Sequence, residues 1–178
     1  MDINKADYGT VIKFGNLELF KEKMKLENQN FGEVINIVDK NGISLLQKSL
    51  ISRKFEIANY LLDNNADINV ISNEGFNELH YLSANINSDG AIQIANRLID
   101  MNVDLDLKEK NLNNSSLWCL CQEVLKKRTE EGILLIIKCL KKKPDVRTLN
   151  SAGYSVESLI NERGTDEMKK VMEEISYE

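Results

Sequence analysis

The side chains able to do chemistry are few and scattered. His80 is the only histidine, so no pair of imidazoles can hold a metal or relay a proton. Cys119 and Cys121 stand two residues apart, a spacing that on a helix points their thiols to different sides, and no second Cys or His pair completes four ligands. With Cys139 they make three cysteines, an odd number that reads as reduced, packed thiols rather than disulfides. The carboxylate runs Glu130-Glu131 and Glu173-Glu174 have the pattern of solvated faces more than of a paired general acid and base. Lys138, Lys141, Lys142 and Lys143 form a local positive run. They end a predicted helix, where cations complement the carbonyl end of the dipole. Neither G-x-x-x-x-G-K-[ST] nor G-x-G-x-x-G occurs, so no glycine loop is available to cradle a phosphate. This inventory predicts no catalytic residues, no metal and no cofactor.

The elements that must position these residues form a repeat. Gly42 and Gly75 lie 33 residues apart, as do Leu46 and Leu79. Glu56-Ile57-Ala58-Asn59-Tyr60-Leu61-Leu62 answers to Gln93-Ile94-Ala95-Asn96-Arg97-Leu98-Ile99, and Asn65-Ala66-Asp67-Ile68-Asn69 answers to Asn102-Val103-Asp104-Leu105-Asp106. Each unit reads as a turn followed by two short antiparallel helices. Gly42 and Gly75 supply positive φ at the turn, Ser44 and Asn77 sit at the N-cap, and Asn65 serves as a left-handed helix stop. Ile57, Leu61 and Leu62 make an apolar stripe that one helix pair cannot bury, so neighbouring units must cover it.

These residues resemble the ankyrin repeat. Asp39-Lys40-Asn41-Gly42-Ile43-Ser44-Leu45-Leu46 is similar to its D-x-x-G-x-T-P-L opening, and Asn65-Ala66-Asp67-Ile68-Asn69 to its G-A-D-V-N close. Leu45 and Glu78 replace the proline, Gln47 and Trp118 replace the histidine that His80 keeps, and Asn65 and Asn102 replace the closing glycine. Phe14-Gly15-Asn16-Leu17-Glu18-Leu19-Phe20 looks like the entry to a second helix of a first unit, and Gly153-Tyr154-Ser155-Val156 like the opening of a terminal one. The resemblance implies an all-α ankyrin-repeat solenoid of helix-turn-helix units: one domain, 1–178, with repeats near 5–38, 39–71, 72–108, 109–147 and 148–178. It further implies that His80 braces the turn, and that Trp118 either fills core between helices or reaches the groove. The last helix sets Met168, Val171, Met172 and Ile175 on one side and charge on the other, as a capping end requires.

Two units are lengthened between their helices. Leu46 to Ile57 spans 11 residues, Leu79 to Ile94 spans 15, and Leu117 to Leu135 spans 18. The additions fall near Ala84 to Gly90 and Lys126 to Gly132, as a longer first helix, a tolerated loop, or a rim that meets a partner.

In ankyrin-like arrays the turn tips and first-helix faces dock other proteins. In register, the tip positions are Lys40, Asn41 and Ile43, then Asn73, Glu74 and Phe76, then Lys110 and Asn114, then Tyr154. Ile43, Phe76 and Tyr154 share one column, where apolar residues either anchor a partner or cover the neighbouring turn. Ile51 and Ser52, Ala84 and Asn85, and Gln122 and Glu123 occupy equivalent places on the first helices. The 178 residues are 42% hydrophobic with a net charge of −5, which speaks against a nucleic-acid surface and favours a basic protein partner. No run of about 18 apolar residues occurs and the first residues are acidic, so the chain reads as cytoplasmic, with no membrane contact and monomeric when free. The expected function is non-catalytic protein binding, first as a bacterial immunity protein masking a basic toxin domain, then as a scaffold or effector recruiting a cellular protein, then as an enzyme-associated subunit.

Overall fold

The computed structural model describes residues 2–27 and 31–176 and is all-helical. Eleven helices lie among those residues: α1 (Tyr8–Phe14), α2 (Leu17–Leu26), α3 (Phe31–Val34), α4 (Leu45–Ile51), α5 (Phe55–Asp63), α6 (Glu78–Ser83), α7 (Ala91–Asp100), α8 (Ser116–Lys127), α9 (Glu130–Leu140), α10 (Val156–Arg163) and α11 (Asp166–Ser176). Two isolated bridges, Val38 with Ser44 and Lys108 with Ser115, close the hairpins ahead of α4 and α8.

Side-chain chemistry sets where the helices start. Asp7, Asn16, Ser44, Asn77, Ser115, Thr129 and Ser155 each accept the backbone N–H three residues on, satisfying one of the orphan donors of a first turn. Ser44 and Asn77 are thus the caps that the sequence predicts. Asn65 takes φ +63° and Asn102 φ +61°, as left-handed stops. Gly42 takes φ +72°, and a Cβ there would lie 3.2 Å from the backbone nitrogen of Asn73. That position needs glycine both for its hand and for the close passage of the next hairpin.

Five helix pairs pack as two rows. The first members stack α1 on α4, α4 on α6, α6 on α8 and α8 on α10; the second members stack α2 on α5, α5 on α7, α7 on α9 and α9 on α11. The core lies between the rows and includes Ile57, Leu61, Leu62 and Leu46, each at most 4% exposed, worth about 1.5–3 kcal/mol apiece. Polar stitching joins successive pairs. The side chains of Asn36, Asn69 and Asp106 accept the backbone N–H groups of Asp67, Asp104 and Asp145. The carbonyls of Asn41, Glu74 and Leu112 accept those of Asn73, Lys110 and Ser151. At the end, Met168 and Met172 are buried and Val171 packs on the core; the side chain of Ile175 lies outside the described residues.

The two lengthened units differ physically. After α6 the chain runs through a loop to Gly90, the N-cap of α7, whereas α8 extends to 12 residues against 7 for α4. Gly132, expected within the second addition, belongs instead to α9. It is buried against α8, where a Cβ would meet Val124 Cγ1 at 2.9 Å.

Candidate protein-docking face

Of the residues singled out for chemistry, His80 and the cysteines are packed, while Glu130, Glu131, Glu173 and Glu174 are exposed. His80 Nε2 lies 3.2 Å from the carbonyl of Asn114, and its Nδ1 lies 3.3 Å from the Asn77 backbone nitrogen. Burial holds the imidazole below its ordinary pKa despite that carbonyl and the charges of Glu109 and Asp104. Nδ1 also lies 2.9 Å from Asn77 Oδ1, so the ring spans from its own N-cap to the Asn114 carbonyl and braces one unit against the next. Cys121 and Cys139 are buried and Cys119 half-buried. Burial pushes the Cys119 and Cys139 thiols up to about 12 and Cys121 well above its usual value, which suppresses the thiolate needed for nucleophilic attack or metal ligation. Among the described residues no three His, Cys, Asp or Glu side chains gather as a metal site. Lys138 pairs with Asp100 at 2.7 Å and donates to Asn96, and Lys142 donates to Asn102. Lys138 and Lys142 therefore tie α9 and the turn after it to the preceding unit.

The turn tips divide into bracing and exposed positions. Asn73 Nδ2 donates to the Lys40 carbonyl, while the side chains of Lys40, Asn41, Glu74 and Lys110 point to solvent. Within the apolar column, Ile43 is half-buried. Phe76 is half-buried too, its ring centroid 5.2 Å from that of His80 and 5.4 Å from that of Tyr81. It packs on α6 of its own unit. Tyr154, by contrast, is 53% exposed.

Asn114 corrects the sequence reading, for it is buried. Its N–H donates to Glu109 and its Oδ1 accepts from Asn150 Nδ2. The cause is one extra residue in this hairpin. Gly42, Gly75 and Gly153 donate their N–H three residues back, to Asp39, Ser72 and Asn150, whereas Asn113 reaches four back to Glu109. The opening residue is longer to match. The carboxylate of Asp39 accepts from Asn41 and Ile43, but that of Glu109 accepts from Asn111, Leu112 and Asn114.

Alignment on the N-caps places Phe14, Ile51, Ala84, Gln122 and Glu162 at one position of the first-row helices. Ile51, Ala84 and Gln122 are equivalent, as the sequence reading has it; Phe14, 70% exposed, was missed. The neighbouring position holds Ser52, Asn85, Glu123 and Arg163. There Asn85 donates to the carbonyls of Leu50 and Ile51, Glu123 pairs with Lys126, and Arg163 reaches Gln122. Ser52 is half-buried at the C-cap of α4. Asn85 and Arg163 are thus interunit braces more than open contacts.

Between the last two units, Leu112, Trp118, Gln122, Tyr154, Leu159, Glu162 and Arg163 line a notch of about 340 Å³. Leu112, the extra hairpin residue, is 56% exposed. Trp118 packs on the core and also lines the notch. Its Nε1 is a buried donor with no hydrogen-bond partner. On the second row, the lengthened connections flank an open cleft of about 740 Å³ whose lining includes Asp89, Gln93, Asn96, Thr129, Glu131 and Leu134. No helix among the described residues is long and apolar enough to cross a membrane. No protein-family model matches the chain, and no curated protein matches it either.

Proposed function

We propose that the chain is a non-catalytic, ankyrin-type repeat solenoid that holds another protein against its turn tips and first-row helices. The observation that carries this reading is the set of large apolar side chains left in water there: Phe14, Ile51, Leu112 and Tyr154, the last two flanking a notch roomy enough for a side chain. Apolar anchors entering pockets supply most of the energy of protein docking. The 33-residue period, the turn glycines and the interunit stitching of the hairpins support the ankyrin type. Neutralising a toxin by covering its surface is the form of this activity we place first. Recruitment of a cellular protein and attachment to an enzyme use the same face and differ in the partner.

The test is affinity capture from native lysate with the wild-type chain and with a Leu112→Ala/Tyr154→Ala chain as parallel baits. A protein recovered in stoichiometric amount by the first and depleted from the second is the expected result. Equal recovery by both baits would count against the notch as the anchor.

A further inference from the structure

The third residue of α4 and of α6 reaches across to the next unit. Gln47 Nε2 donates to the carbonyl of Val70 at 2.6 Å, and His80 Nε2 lies 3.2 Å from the carbonyl of Asn114. Trp118 is the next member of this set, placed after the cap Ser115 as Gln47 is after Ser44 and His80 after Asn77. Its Nε1 is, among the described residues, the one buried side-chain nitrogen or oxygen without a hydrogen-bond partner. Burial strips water from such a donor, and a bond must be returned from elsewhere if the cost is to be avoided. Register names the carbonyls that match. Val70 and Asn114 stand seven residues and one residue before the caps Asn77 and Ser115, and the same places before the cap Ser155 are Thr148 and Tyr154. Thr148, Tyr154 and Trp118 together line a cavity of about 10 Å³ between the fourth and fifth units, with Asp106, Asp145 and Asn150 among its other walls. A water molecule needs about 10–15 Å³ of such room and about two to four polar partners.

We propose that this cavity is a binding site for a single water molecule, which accepts from the Trp118 indole N–H and donates to the carbonyls of Thr148 and Tyr154. The joint between the fourth and fifth units is then made through water, where the two preceding joints are made by a side chain directly. Three bonds are the usual complement of a buried water. The Tyr154 carbonyl already accepts from Asn150 N at 2.8 Å and keeps a second lone pair, just as the Asn114 carbonyl serves both Glu109 N and the His80 ring. A bridging water is nearly as good as a direct bond once the entropy of holding it is met, so the joint is wet without being weak. The site stands apart from the docking reading, although Trp118, Asn150 and Tyr154 also line the notch.

Trp118 is the only tryptophan, so its indole N–H gives a single signal in a nitrogen–proton correlation spectrum of the full chain. Water-selective Overhauser spectra on that signal are expected to show a cross-peak with the sign of an immobilised water. A high-resolution crystal structure should place a water oxygen about 2.7–3.2 Å from Nε1 and within about the same range of the Thr148 and Tyr154 carbonyl oxygens. An indole N–H that gives no water cross-peak and is seen bonded directly to a protein acceptor would overturn the proposal. So would a cross-peak that reports only rapid exchange with bulk solvent, or a water on Nε1 that reaches neither carbonyl. Protein docking is unaffected by any of these results, since the paired baits test it separately.

Discussion

Shortening Glu109 by one methylene, Glu109→Asp, should destabilise the chain by about 2 kcal/mol. In the structure Oε2 accepts from Asn111 N at 2.7 Å, and Oε1 accepts from Leu112 N at 2.9 Å and Asn114 N at 3.1 Å. Withdrawing the carboxylate by about 1.5 Å takes it beyond reach of most of these donors. Each hydrogen bond to a charged group contributes about 1.5–3 kcal/mol. Water replaces the acceptor at exposed Asn111 and Leu112, but not at buried Asn114, which leaves a net loss near one such bond. For a chain of this size that lowers the melting temperature by about 4–8 °C, read by circular dichroism at pH 7. Burial alone would raise the Glu109 pKa, yet the N–H groups of Asn114, Leu112 and Asn111 hold it below its usual 4.5. Its contribution is therefore present above pH 4.5 and lost as pH falls through the lower folded value, and the two melting curves should converge in acid. Deleting Leu112 in the Glu109→Asp background restores the short hairpin that Asp39 serves, and should recover most of the loss. A single variant that melts with wild type, or a deletion that only adds to the damage, would refute the account.

Other changes test neighbouring parts of the argument. Leu46→Ala, at a site 1% exposed, should cost about 2–5 kcal/mol in a urea titration by leaving a cavity between stacked units. Gly132→Ala should cost about 1–3 kcal/mol, since its Cβ would press on Val124; adding Val124→Ala should return part of that loss. Phe76→Ala should lower the melting temperature because its ring packs on His80 and Tyr81, whereas Tyr154→Ala should leave it within about 2 °C of wild type. His80 is held below its ordinary value of 6.5 by burial, so it contributes stability above that pH that is lost as pH falls toward the folded value. His80→Gln, the residue found at the matching position 47, should flatten that decline in melts between pH 7 and pH 5.

Local rules were legible in the residues themselves. The 33-residue spacing, the Ser44 and Asn77 caps, the turn glycines and the Asn65 and Asn102 stops each depend on one or two neighbours and a backbone preference, so sequence alone placed them. The Ile57, Leu61 and Leu62 stripe likewise required a covering neighbour before any neighbour was seen. Which tip residues face water was not legible in this way. Asn114 falls in the exposed column by counting, but one additional residue turns it inward and leaves Leu112 outside. Phe76 and Tyr154 are both aromatic at matching positions, yet only Phe76 has His80 and Tyr81 beneath it. Phe14 joined Ile51 only when α1 came to rest on α4. Backbone preferences act over three or four residues and can be read along the chain; exposure and local charge are sums over residues more than 30 positions apart, which only the stacked units bring together.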